Sequence, residues 1–205
     1  MELTAHSVSV AGLHGPLLLP TTLAAHPGHV TLVAGDPGYG HVALALALGG
    51  RVPLAQGEVA LDGDPNEDLR RRHVTLVDVP DVTAPEDAVS VRSAVAEQLA
   101  LAGRPASRAA TRAFLAGHGV DAARDRFETL PASTRTVLLM HAAATRAATR
   151  VLVVAAPDRF GGDPTGWYAA AEQLAATGLT VVVQVTHATA RLLALPATFE
   201  LGVDR

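Results

Sequence analysis

The chain has 205 residues, 49% of them hydrophobic and 3% aromatic, a formal charge of −4, no cysteine, and only arginine among its 16 basic residues. That is enough for one domain with a sizeable core, and it excludes extended disorder, disulfides, thiolate metal sites and a cysteine nucleophile. The arginines are scattered apart from Arg70-Arg71-Arg72, so no nucleic-acid footprint is read, and that triplet reads as a solvated edge before a strand.

Glu2 to Val10 alternates as a strand and lacks a basic leader, so no signal peptide is expected. Leu17 to Leu19 reads as a second extended piece, and His29 to Ala34 as a buried strand. Gly35-Asp36-Pro37-Gly38-Tyr39-Gly40-His41-Val42-Ala43 then turns into an apolar helix through Leu48. Gly57 to Gly63 is a strand closed by a turn, and Val74 to Val77 a short β-branched strand. Asp81 to Glu86 marks a loop. From Val89 to about Gly117 the apolar spacing is helical, broken at Gly103-Arg104-Pro105. Thr136 to Thr149 is predicted as a helix, with Val137, Leu138 and Met140 as core. It leads to Val151–Val154, a continuous apolar strand, then a helix at Trp167–Ala176 and a strand at Leu179–Val185. Strands alternating with helices predict a mostly parallel sheet, with a helical insertion near residues 81–134. No apolar run reaches the roughly 18–20 residues that span a bilayer.

A strand, a glycine-rich turn and a helix N-terminus together form an anion site, because unpaired backbone N–H groups point into the turn. A working phosphate loop adds a lysine for the phosphates and a hydroxyl for Mg²⁺. Here those places hold His41 and Val42, followed by Ala43. With an ordinary pKa of about 6.5, a histidine is largely neutral at pH 7.

Five segments, in order, resemble the nucleotide-binding domain of ATP-binding cassette (ABC) proteins over nearly the whole chain. They are Pro27–Gly35, Gln56–Gly63, Leu130-Pro131-Ala132-Ser133-Thr134-Arg135, Val151–Asp158 and Val183–His187. The resemblance implies an α/β P-loop NTPase fold of ABC type: a mixed sheet core with N-terminal antiparallel strands and an inserted helical subdomain. One domain is implied over 1–205, with its core at 1–80 and 135–205 and the insertion at about 81–134. Gly35, Gly38, Gly40, His41, Val42 and Ala43 stand at the phosphate-loop positions, and Ala132, Ser133 and Thr134 at the signature. Ala155 and Ala156 occupy the two acidic positions, so no confident catalytic residue is assigned. His187 stands at the switch histidine, with a structural strand-end role favoured, and Asp78 or Val79 at the family's glutamine. The resemblance implies an ATP or ADP ligand, held weakly, with Mg²⁺ dependence lost along with the lysine and hydroxyl. It also implies a cytoplasmic subunit docked on a membrane permease, another cassette in a homo- or heterodimer, or both, without direct membrane insertion. Asp158 and Asp163 would have to fold back to replace the missing acids, and are expected to stay beyond the strand end.

Gly38 to Ala43 also satisfies the dinucleotide fingerprint, with Asp62 as a ribose ligand in a Rossmann-type alternative. A metal reading of His26-Pro27-Gly28-His29 has no third ligand placed by sequence, and exposed turn histidines are expected there.

Overall fold

The computed structural model describes residues 1–195 and 198–202, so the end of the expected core, 203–205, lies outside the described residues. In chain order come β1 (Leu3–Gly12), β2 (Gly15–Ala25), β3 (Val30–Gly35), α1 (Tyr39–Leu48), β4 (Gln56–Leu61), α2 (Glu67–His73) and β5 (Val74–Val77). Then follow α3 (Val91–Leu101), α4 (Arg108–Gly117), a 3-10 turn at Phe127–Thr129, and α5 (Ala132–Ala144). The last elements are β6 (Val151–Ala155), α6 (Thr165–Ala176), β7 (Thr180–Thr186), α7 (His187–Leu193) and β8 (Thr198–Glu200).

Period-two burial sorts these elements into layers. β6 and β7 lie inside a parallel sheet ordered β5-β6-β7-β3-β8, and both of its faces are covered. Val151, Val153, Ala155 and Val182 point to one core, shared with α1 and an antiparallel sheet ordered β2-β1-β4. Leu152, Val154, Val181, Val183 and Val185 point to the other, beneath α3, α5 and α6. A strand buried on both sides needs apolar residues at every position, which explains the unbroken Val runs. The exceptions are Thr180 and Gln184, both fully buried in β7.

The topology overturns the Rossmann alternative. β4 leaves the parallel sheet and pairs antiparallel with β1, while β3 is flanked by β7 and β8. Asp62 sits at the end of β4, where its carboxylate accepts the Glu2 N–H at 2.6 Å.

Two local readings are also corrected. Arg70 is not on a solvated edge but 2% exposed, donating to the carbonyls of Val59 and Pro65. Only its neighbours behave as expected, with Arg71 pairing to Glu67 and Asp68 on the surface of α2. The helix predicted from Thr136 begins at Ala132 and ends at Ala144. The β-branched Thr134 and Thr136 mask its start, and the Thr145 hydroxyl donates back to the Ala142 carbonyl at its end.

Gly57 is held at φ 78° against the irregular centre of β1, where a Cβ would stand 2.3 Å from the His6 and Ser7 carbonyl oxygens. Both neighbours are backbone, so neither can swing aside. Gly57→Ala is expected to destabilise the fold by at least about 1–3 kcal/mol, read as a drop in the urea midpoint at unchanged slope.

Candidate functional site

The carboxyl ends of β3, β6 and β7 converge on the turn between β3 and α1. No side chain caps α1, and no acid lies in its first turn. Its positive end and N-terminal N–H groups therefore face the turn without a built-in counter-charge. A Cβ at Gly38 would meet open space. Gly35 and Gly40 are kept for another reason. A Cβ on either would stand 2.8 Å or less from the Leu201 side chain, whose backbone N–H donates to the Ala34 carbonyl at 2.8 Å. The segment after β8 thus seats on the two glycines. Val42 packs half-buried against the core on the α1 side, and Ala43 lies within it.

His41 does not reach out along the loop as a phosphate-binding lysine does. Its ring is 3% exposed and turned beneath the loop, beside Gln184, Asp158 and the backbone of Gly35 and Asp36. Burial pushes its pKa below the ordinary 6.5, and the nearby Asp158 charge offsets only part of this. The ring is therefore neutral at pH 7. Both ring nitrogens, both amide atoms of Gln184 and Oδ1 of Asp158 are buried without a hydrogen-bond partner. The groups are near enough to feel one another but not aligned to bond, and each orphan costs about 1–3 kcal/mol unless a polar guest meets it.

Ala155 is fully buried in the core on the α1 side, and Ala156 takes the left-handed region at φ 45° while donating its N–H to the Gln184 carbonyl. Asp158 does fold back, contrary to the sequence expectation. Its Oδ2 accepts from the Thr186 N–H at 2.9 Å and the Thr186 hydroxyl at 2.7 Å, stitching the loop after β6 to the start of α7. Asp163 stays on the surface and accepts the Thr165 N–H, which holds its carboxyl below the usual range. His187, the first residue of α7, is exposed and stands 4.0 Å from Asp36 of the loop. An exposed pair at that distance is weak.

After β5, Asp78 and Val79 are both buried, Val79 in the core on the α1 side. The Arg159 guanidinium donates to both Asp78 carboxylate oxygens, at 2.6 and 2.9 Å. Burial pushes the Asp78 carboxyl above its ordinary value, and Arg159 offsets part of that rise. Arg159 and Arg135 both stack on Phe160, at 4.4 and 4.0 Å, and Arg135 lies 3.6 Å from Asp87.

Ala132, Ser133 and Thr134 form the half-buried first turn of α5. Ser133 lies against Gly166 and Ala132 near Gly162, so the approach to α6 leans on them. α5 packs on α6 and α3, whereas α1 packs on β1, β2 and β6. His14 is at the exposed tip between β1 and β2. His26 pairs with Glu2, and His29 bonds to the Pro27 carbonyl. Among the described residues no three His, Asp or Glu side chains gather to hold a metal, and no helix is long and apolar enough to cross a membrane.

Solved structures with this arrangement of sheets and helices are ATP-binding cassettes. One is described as an ABC transporter ATP-binding protein from Pyrococcus furiosus, at 16% identity and TM-score 0.66 over 91% of this chain and 92% of that one. A nucleotide-free ATP-binding cassette from an ABC transporter matches at 17% identity and TM-score 0.68, over 99% of this chain and 90% of its own. The ATP-binding subunit of an ABC transporter matches at 16% identity and TM-score 0.64, over 94% and 82%. The chain has the ATP-binding cassette fold. No protein-family model and no curated protein matches it. At the β3–α1 turn Gly38 leaves open space beside the backbone for a phosphate, whereas the side chains of Val42, Ala155 and Ala156 offer no oxygen to hold Mg²⁺.

Gln184, Leu201 and Arg159 are site residues that sequence reasoning missed. Only Gln184 carried a signal, as the lone amide in an apolar strand.

The unfolded chain protonates His41 near pH 6.5, while the buried ring takes a proton only at lower pH. Between those values the unfolded state binds more protons, so stability falls as pH drops from about 6.5 through the window. His41→Gln is expected to flatten that acid limb in urea titrations at pH 7 and pH 5. His141, lowered by burial and by His118, retains its own share. Arg159→Ala strands a buried carboxylate and should cost about 3 kcal/mol, the low end for a broken buried pair because Arg159 is partly exposed. The Asp78→Asn/Arg159→Met double variant should lose less than that single one, as measured by thermal melts.

Proposed function

We propose that this chain is a cassette subunit that keeps its fold for assembly and has lost efficient ATP hydrolysis. Its role is structural or regulatory, alongside a membrane permease, a second cassette, or both. In this reading it is one domain with its core at 1–80 and 135–205 and a helical insertion at about 81–134, lying on the cytoplasmic side and held at the membrane through its partner. The likeness to ATP-binding subunits of ABC transporters supports the class.

The observation that carries the reading is the state of His41. A neutral ring turned under the loop supplies no cation to a phosphate above it. Phosphoryl transfer depends on positioning and charge neutralisation, and loss of a general base alone costs about 10²–10⁴-fold. In this reading Ala156 stands in place of the base, and Ala155 is a core residue that offers no metal ligand. Gly38 and the α1 N-terminus leave ATP or ADP a backbone site only, which supports weak binding with little Mg²⁺ dependence. At the signature, Cβ atoms on Ala132 and Ser133 stand where close backbone approach to a partner's nucleotide is needed.

A second reading, a cassette ATPase with residual activity, is favoured by one observation: Asp158 returns to the strand ends beside His41. Mg-ATP binding and turnover, measured on the purified protein alone and with its co-purifying partner, separate the two. The expected outcome is no Mg²⁺-dependent turnover from this chain, and no change in the complex on His41→Ala or Asp158→Asn. Micromolar Mg²⁺-dependent binding with turnover abolished by His41→Ala overturns the proposal.

A further inference from the structure

Two histidines on different helices are brought ring to ring by the fold. His118 closes the end of α4 and His141 lies on α5. Their ring centres stand 4.8 Å apart with the planes tilted by 49°, and the Phe114 ring lies 4.4 Å from His118. Both imidazoles are half-buried. His118 Nδ1 is 2.8 Å from the Phe114 carbonyl oxygen, and His141 Nδ1 is 3.1 Å from that of Val137. A carbonyl oxygen only accepts, so each Nδ1 carries the proton and donates it.

The tautomer of both rings is thereby fixed, and each neutral ring keeps its lone pair on Nε2. Neither Nε2 has a hydrogen-bond partner among the described residues, and neither is sealed from solvent. Burial and the neighbouring His118 hold His141 below its ordinary pKa, so its lone pair is available at pH 7.

We infer that His118 and His141 together bind a divalent transition-metal ion of the zinc or copper type through their Nε2 atoms. Imidazole nitrogen suits such ions, whereas Mg²⁺ and Ca²⁺ take oxygen ligands. Two imidazoles on one tetrahedral ion, at Zn–N distances of about 2.0–2.1 Å, have ring centres about 5 Å apart. The two rings already stand at that separation. A metal-bound histidine commonly donates its other ring N–H to a carbonyl or carboxylate, which fixes the ring's orientation. Both histidines have that support from their own helices. Among the described residues no third His, Asp or Glu side chain joins them, so water completes the coordination shell. The ion would tie α4 directly to α5, two helices that each pack on α3. Both residues lie on other elements than the β3–α1 turn, so the site stands independently of the proposed cassette function.

The test is calorimetric titration of the full chain with Zn²⁺, with Mg²⁺ as the oxygen-seeking control. Electron paramagnetic resonance of the Cu²⁺-loaded chain counts the imidazoles on the metal. One saturable Zn²⁺ site is expected, with no Mg²⁺ binding there and with nitrogen couplings from two imidazoles on Cu²⁺. His118→Gln and His141→Gln should each weaken Zn²⁺ about ten-fold or more, at least the cost of losing an outer-shell partner, and should leave one coupled imidazole. Saturating Zn²⁺ should raise the melting temperature of the parent and of neither single variant. The His26→Gln/His29→Gln double variant, in the turn before β3, should bind as the parent does. Coupling to a single imidazole in the parent requires no variant and overturns the inference by itself. No saturable Zn²⁺ binding, binding that both single variants leave unchanged, or binding lost in the turn variant overturns it as well.

Discussion

Burial of β6 and β7 on both faces is the constraint on which the remaining structure depends. Because side chains alternate along these strands, one sheet supplies two cores, and each must be roofed by separate elements. That requirement places α1 and the antiparallel sheet on one side and α3, α5 and α6 on the other. It also leaves only the strand ends for polar chemistry. Gln184, the buried amide of β7, sits two residues before the strand emerges from the core at Thr186, beside His41.

The same constraint explains the small apolar residue at the end of β6. Ala155 is the last residue of β6 and still within the core on the α1 side, so a small apolar side chain fits where a carboxylate would need metal or hydrogen-bond partners to offset its desolvation. The Arg159 guanidinium donates to the Ala155 and Ala156 carbonyls at 3.4 and 3.2 Å, and Asp158 is committed through one oxygen to Thr186. The strand ends therefore hold the His41 ring and the Gln184 amide beside the Asp158 carboxylate and the Arg159 guanidinium.

Much of the fold was legible because it rests on periodicity. The Val runs of β6 and β7, the helical spacing of α3 and the break at Gly103-Arg104-Pro105 are local signals that the structure reproduces. What escaped was set by tertiary contact. Arg70 is charged and sits in an arginine triplet, yet two backbone carbonyls bury it. At the candidate site His41, Val42, Ala155 and Ala156 were visible as letters. The direction in which the His41 ring turns depends on Gln184 and Asp158, more than a hundred residues away.

Leu201 gives the glycine-rich loop a second reason to exist. With its side chain against Gly35 and Gly40, a methyl group at either position would collide with it, whether or not a phosphate is ever bound. Glycine there is protected by packing alone. A sequence pattern associated with a ligand can in this way outlast the ligand, preserved as the negative imprint of a leucine. Glycine count is then a poor gauge of activity in this loop, and Gly38, which touches nothing, is the position free to record whether chemistry still matters.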